Sequence, residues 1–285
     1  MLAMQQSARV PRWRFCARPG LRVSASLSAM GTTSITVAED PRVLQLLRRA
    51  DDALILGHRL SAWTGHAPLL EEELALANIA LDLIGQARAL YQEAGAVSGH
   101  TEDQLVYLRD ERAWRNCLLV EQPNGDFAAT IVRQVLYSAF ADPFWHATRD
   151  SEDAALAAIA GKAEKECAYH LRHAAEWLVR LGDGTAESHR RAQEAVDALW
   201  PFAGELFATD AADAAMIEAG VIPDPRTLRD RWNATVDAVL ARATLTRPPG
   251  GWMQSGGRVG LHSEHLGHLL AELQFLQRSY PGARW

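Results

Sequence analysis

From Asp40 to Tyr280, apolar residues recur about every 3.6 positions, the period that places them on one face of an α-helix. Proline and glycine interrupt this pattern and divide it into segments. Asp40 can cap the first segment, with Pro41 at the first helical position. The pattern predicts long helices over residues 40–63, 69–94, 127–148 and 151–181, with further helical pieces over 103–119, 186–208, 210–219, 225–244 and 261–280. Pro143 and Pro201 are predicted to interrupt or kink two of these helices.

The sequence contains no pattern that predicts a β-strand. No stretch alternates apolar and polar residues for long, and no Asn-Gly turn joins two β-branched runs. The pattern therefore predicts an all-α protein. Four long helices followed by shorter ones indicate a four-helix bundle with additional C-terminal helices.

Residues 1–38 have a different composition from the rest of the chain. They contain serines and many arginines, and no acidic residue precedes Glu39. This composition resembles an organellar transit peptide. The interpretation we favour is a disordered leader, with a translation start assigned upstream of Met30. Residues 39–285 are then predicted to form a single helical domain.

Charge and cysteine content exclude several classes of function. The 285 residues carry a formal net charge of −6, which leaves no broad basic face for nucleic acid. The three cysteines are widely spaced, which is typical of a reducing compartment and predicts a cytoplasmic protein. No apolar run approaches the ~18 residues of a membrane-spanning helix, so no membrane association is predicted.

A bundle of this size can hold a di-iron centre, which needs a Glu-x-x-His pair on each of two helices. No Glu or Asp in the chain is followed by His three residues later. The closest match is Glu166, which has Tyr169 where the histidine is required and His170 one position further on. Glu166 and His170 can form a hydrogen-bonded i,i+4 pair at a seam of the bundle, and we favour this over one-metal binding. On the second long helix, Leu83 and Gln86 stand where di-iron bundles carry ligand Glu and His.

Other polar groups offer weaker possibilities. Three histidines spaced by three residues, His262, His265 and His268, suggest zinc, but they drift around a helix, and the favoured role is hydrogen bonding or contact between subunits. The glycine-rich segment 256–260 can cradle a phosphate at a helix N-terminus or be a flexible turn. Neither the first nor the third long helix offers a clearly inward-facing Glu.

Several stretches resemble a known family. They include VEQPNGDFA at residues 120–128, RLGDGT at 180–185 and GGRVGLHSEHLGHLLAELQFLQRSYPGARW at the C-terminus. Together with GHRLSAWTGHAPLLEEELALANIALDLIGQAR, they are similar to the C subunit of the bacterial phenylacetyl-CoA monooxygenase, also called 1,2-phenylacetyl-CoA epoxidase. The resemblance extends from about Asp51 to Trp285. It implies a ferritin-like helical bundle.

The resemblance also implies a function. In this enzyme a ferritin-like A subunit holds the di-iron centre and epoxidises the ring of phenylacetyl-CoA during aerobic phenylacetate breakdown. The C subunit is its structural partner, and a small B subunit and a reductase complete the system. We therefore expect no catalytic residue and no cofactor in this chain. Two alternatives stay open, a stand-alone di-iron oxygenase or oxidase and a helical binding module for CoA thioesters. Contacts with the partner are predicted at Trp63, Arg88, Arg112 and Trp114.

Overall fold

The computed structural model describes residues 34–281 and 283, and within them it contains helices and loops but no strand. The α-helices are α1 Pro41–Ser61, α2 Leu70–Ser98, α3 Glu102–Tyr107, α4 Leu118–Glu121, α5 Phe127–Thr148, α6 Ala154–Gly182, α7 Ala186–Leu199, α8 Ala211–Glu218, α9 Arg229–Arg242 and α10 Glu264–Ser279. Short 3₁₀ segments lie at Glu111–Ala113, Trp200–Phe207, Pro225–Leu228 and Gly257–Val259. The all-α prediction is confirmed.

The long helices form the predicted four-helix bundle. α1 packs along α2, α5 packs along α6, and a second seam joins α2 to α6. Most of α5 is buried, which agrees with a sequence that is apolar nearly all round. The predicted interruption of this helix at Pro143 is wrong, because α5 continues through that residue to Thr148. Among the described helices, none combines the length and apolarity needed to cross a membrane.

Local sequence sets the ends of these helices. The Asp40 carboxylate accepts a hydrogen bond from the amide of Val43, and Pro41 follows at the first position, as predicted. Asp153 caps α6 by accepting from the amides of Ala155 and Leu156. α6 therefore begins at residue 154, three residues later than predicted.

The predicted helix over residues 103–119 is wrong. The chain forms α3, a single 3₁₀ turn and α4 instead, with extended backbone at Trp114. This segment breaks because its backbone amides bind buried aspartates of α1 rather than continuing a helical ladder. The amide of Arg115 donates to Asp51, and the amide of Cys117 donates to Asp52.

Residues 34–38 lie inside the predicted disordered leader, but they contact the bundle. The amide of Ile35 donates to the Leu108 carbonyl, and Ile35 and Val37 pack on the apolar core. The leader prediction is therefore wrong for these five residues. For residues 1–33 it lies outside the described part of the chain.

Two adjacent aspartates of α1 are completely buried, and each is neutralised by a distant arginine. Asp51 forms a two-point ion pair with the equally buried Arg109 and also accepts a hydrogen bond from Tyr91. Asp52 forms a second two-point pair with Arg258, at 2.8 and 2.9 Å, across 206 residues of sequence. Burial opposes the charge of Arg109, but the Asp51 carboxylate outweighs it and raises the pKa of the guanidinium. Burial opposes the charge of Arg258 in the same way, and the Asp52 carboxylate outweighs it and raises the pKa of that guanidinium.

We predict that Arg109→Met lowers the free energy of unfolding by about 3–5 kcal/mol, because Asp51 is left charged without a counterion in the core. Adding Asp51→Asn should restore most of this loss, since the side-chain oxygen can accept from the Arg115 amide while the NH2 group donates to the Tyr91 hydroxyl. Urea denaturation followed by circular dichroism measures both. Arg226→Met, which breaks the exposed pair with Asp224, is the control and should shift the midpoint far less. A full loss in the double variant would contradict the prediction.

Candidate functional site

The candidate di-iron ligand positions predicted from the sequence lie on α2 and α6, the two helices that meet at a seam. Three hydrogen-bonded contacts cross it. Gln86 Nε2 donates to Glu166 Oε2 at 2.8 Å, His170 Nε2 lies 3.1 Å from Asp82 Oδ2, and His173 Nε2 lies 2.9 Å from Glu72 Oε2. Each of these three polar side chains of α6 therefore has its partner on α2.

The predicted pairing of Glu166 with His170 is wrong. Both residues lie near the α2 side of α6, but each binds a different residue of α2. The remaining oxygen of Glu166 binds Lys162, one turn earlier on the same helix, at 3.2 Å. An i,i+4 pair does form, as expected for this helix, but it joins Glu166 to Lys162.

The predicted ligand register on α6 is also wrong by one residue. Tyr169 is 37% exposed and points away from the core, whereas Cys167 and His170 are each 1% exposed. The inward-facing i,i+3 pair on α6 is therefore Cys167-x-x-His170. Leu83-x-x-Gln86 faces inward in the same way on α2, as predicted. Gln86 Nε2 lies 4.0 Å from Cys167 Sγ, so the two pairs meet across the seam.

These four inward side chains do not fit a di-iron centre. Such a centre needs carboxylates to bridge two hard cations, and leucine and cysteine occupy the carboxylate positions on α2 and α6. Burial raises the pKa of the Cys167 thiol well above its ordinary value, so the sulfur stays protonated. Within residues 34–281 and 283, no cluster of three or more His, Cys, Asp or Glu side chains is arranged to hold a metal ion.

Of the three histidines before and within α10, His262 is held in place by hydrogen bonds. The His262 ring has Nδ1 at 2.8 Å from Glu121 Oε2 and Nε2 at 3.1 Å from the Trp114 carbonyl oxygen. Both ring nitrogens of His262 face oxygen atoms of the protein, so neither is open to a zinc ion. The preferred prediction, hydrogen bonding, is confirmed for His262.

The glycine-rich segment 256–260 does cradle an anion, but the anion belongs to the protein. The amides of Gly256 and Arg258 donate to Glu205 Oε1, and the amide of Leu118 donates to Glu205 Oε2. A Cβ on Gly257 would lie 2.1 Å from the carbonyl oxygen of Asn116, so glycine is required there. The expectation of a flexible turn is wrong, because the buried carboxylate fixes this loop.

The four predicted partner contacts have different positions. Arg88 and Arg112 are exposed, and Trp63 is half-buried with its indole nitrogen donating to Thr130. These three remain predictions. Trp114 is wrong as a contact, because it is completely buried and stacks beside the Arg109 guanidinium, whose carbon lies 4.6 Å from the ring centre.

The fold and this site together define a class. The chain is a ferritin-like helical bundle whose α2 and α6 carry the positions of a carboxylate-bridged metal centre without its ligand set. Residues 29–285 match the sequence model of the family described as phenylacetic acid catabolic proteins, and the chain belongs to that family. Over 240 residues it is 50% identical to the C subunit of 1,2-phenylacetyl-CoA epoxidase from Escherichia coli (strain K12), a match that covers 84% of this chain and 97% of that protein.

We predict that Leu83→Ala lowers the free energy of unfolding by about 2–5 kcal/mol, because it leaves a cavity in the packed seam. Leu81→Ala is the matched control, since Leu81 lies two residues earlier on α2 and is 66% exposed. Its effect should stay within about 0.5 kcal/mol. Denaturation of both variants in urea compares them directly, and equal losses would contradict the assignment of Leu83 to the core.

Proposed function

We propose that this chain is a non-catalytic structural subunit of a cytoplasmic phenylacetyl-CoA epoxidase in phenylacetate breakdown. The observation that supports the non-catalytic role most directly is the Leu83, Gln86 and Cys167 set at the inward positions of α2 and α6. All three side chains are buried where ligands would be required, and Gln86 contacts Cys167 across the seam. A cytoplasmic location suits Cys117 and Cys167, which are buried free thiols.

The proposed role is to pair with the ferritin-like catalytic A subunit and support its bundle. An enzyme that admits a large thioester between its helices loses packing at that point, and a rigid neighbour can hold those helices in position. The buried ion pairs and the closed α2–α6 seam give this chain the rigidity that the role requires. The B subunit and a reductase complete the proposed assembly, and the di-iron centre belongs to the A subunit.

Reconstitution tests this proposal. The A subunit, the B subunit and the reductase are combined with reduced nicotinamide cofactor, oxygen and phenylacetyl-CoA, with and without this chain, and the epoxide is measured by mass spectrometry. We expect turnover only when the chain is present. Epoxidation at an unchanged rate in its absence would contradict a structural requirement.

Iron analysis separates this proposal from a stand-alone di-iron oxygenase. The chain purified alone is expected to bind well below one iron per molecule, because the seam lacks bridging carboxylates. The A subunit, loaded and purified in the same way, is the control. Two tightly held irons in this chain would overturn the non-catalytic role.

A further inference from the structure

The exposed sides of α2 and α6, which pack along a common seam, make one surface of the bundle. On α2, the exposed side chains include Leu70, Leu74 and Leu81, which repeat at helical spacing and therefore lie on one side of the helix. On α6, the corresponding exposed positions carry Tyr169 and a row of basic residues, namely Lys162, Lys165, Arg172 and Arg180. We call this surface the leucine–basic face.

The apolar part of this face has no role inside the chain. Leu70 is 68% exposed and Leu81 is 66% exposed, although α2 packs its other sides tightly against α1 and α6. Helix surfaces of lone soluble domains seldom place several leucines in one exposed row, and such a row is typical of a protein–protein contact. The row therefore indicates a surface that is covered in the assembled protein.

The basic part of the face is unusual for this chain, whose net charge is −6. Its only two lysines, Lys162 and Lys165, both lie here. Several exposed arginines elsewhere have carboxylate partners, for example Arg190 with Glu187 and Arg247 with Asp237. For Lys165, by contrast, no carboxylate among the described residues lies within ion-pair distance.

The two arginines of the row are in the same situation. Within the described part of the chain, the contacts of Arg172 and Arg180 are with aromatic rings, those of Tyr169 and Trp177, rather than with carboxylates. Three acidic residues are interspersed among them on α6, namely Glu164, Glu166 and Glu176. Glu164 binds residues of α5 and the following loop, and Glu166 binds Lys162. Three of the four cations in the row, Lys165, Arg172 and Arg180, thus have no carboxylate partner among the described residues, whereas Lys162 is paired with Glu166.

The interior ligand position on α2 is connected to the leucine–basic face by a chain of polar contacts. Gln86, in the ligand position on α2, donates to Glu166, and the other oxygen of Glu166 binds Lys162. The side chain of Lys162 is 72% exposed and lies at the edge of the face. Gln86, which occupies the interior ligand position, therefore helps to orient the exposed Lys162 through Glu166.

We propose that the leucine–basic face binds the catalytic partner subunit, and that the partner presents an apolar helical ridge flanked by Asp and Glu side chains. This inference rests on the proposed function, because it specifies the surface used for that pairing. Apolar contact along α2 supplies affinity, and the basic row of α6 selects an acidic partner and accelerates association.

The size of the face suits this role. Each of the two helices has 29 residues, which corresponds to a length of about 43 Å. Two such helices side by side offer roughly 800 Å² to a partner, which is what a stable interface uses on each side.

Lysine footprinting tests the inference with little ambiguity, because Lys162 and Lys165 are the only side-chain amines in the chain. The chain is treated with the acetylating reagent N-hydroxysuccinimidyl acetate, once alone and once in complex with the catalytic subunit. Peptide mass spectrometry then gives the acetylation rate at each lysine. Both rates should fall severalfold in the complex. Unchanged rates in a complex that has demonstrably formed would overturn the inference.

Variants test the two parts of the face separately. Leu74→Asp with Leu81→Asp should weaken binding by about tenfold or more, since charges replace apolar contacts. Lys165→Glu with Arg172→Glu should slow association and weaken its dependence on salt. Leu276→Asp on α10 and Arg190→Glu on α7 are controls at exposed positions outside the face and should bind like the wild type. Circular dichroism of each isolated variant checks that it is folded.

The outcomes separate the two proposals. If the wild-type chain binds the catalytic subunit and the Leu74 and Leu81 variant binds equally well, the proposed function stands and the face is wrong. If the wild-type chain does not bind the catalytic subunit at all, both the proposed function and the inference are overturned.

Discussion

Charge neutralisation beneath α1 is the constraint on which the rest of the fold depends. Two adjacent carboxylates, Asp51 and Asp52, lie where no water can solvate them, and a buried charge without a partner is strongly destabilising. Asp51 is neutralised by Arg109 between α3 and the following 3₁₀ turn, and Asp52 by Arg258 in the C-terminal loop. These pairs replace a long helix over residues 103–119 with a broken, buried segment. They also hold the glycine-rich loop and thereby the start of α10.

The interior of the bundle carries side chains other than the usual ligands at the positions where related scaffolds bind metal. At the inward i,i+3 positions, carboxylates are replaced by Leu83 and Cys167, and a histidine by Gln86. His170 is retained but hydrogen-bonds with Asp82. Leu83 is buried, and Gln86 contacts both Glu166 and Cys167 across the seam, so this part of the interior is filled by the chain's own side chains.

Much of the fold follows from the sequence because the apolar period is strong. The four long helices follow from spacing, the Asp40 cap follows from residue type, and the positions of Leu83 and Gln86 follow from comparison with di-iron bundles. The register of α6 was not predicted, because Glu166 and Cys167 are adjacent and an acidic residue is the more typical ligand in such a bundle. The sequence signal for Cys167 is its place three residues before His170. The ion pairs of Asp51 and Asp52 join residues far apart in sequence, and no local pattern signals such partners.

The span of the Asp52–Arg258 pair also affects how the protein is made. A ribosome extends the chain from its N-terminus, so α1 is complete long before Arg258 has been synthesised. Until then the carboxylate of Asp52 lacks its main counterion, and α1 cannot be buried at low energetic cost. Contacts of such long range slow folding, since a large loop must close before they form. The part of the native core around Asp52 is therefore completed only after Arg258 has been synthesised.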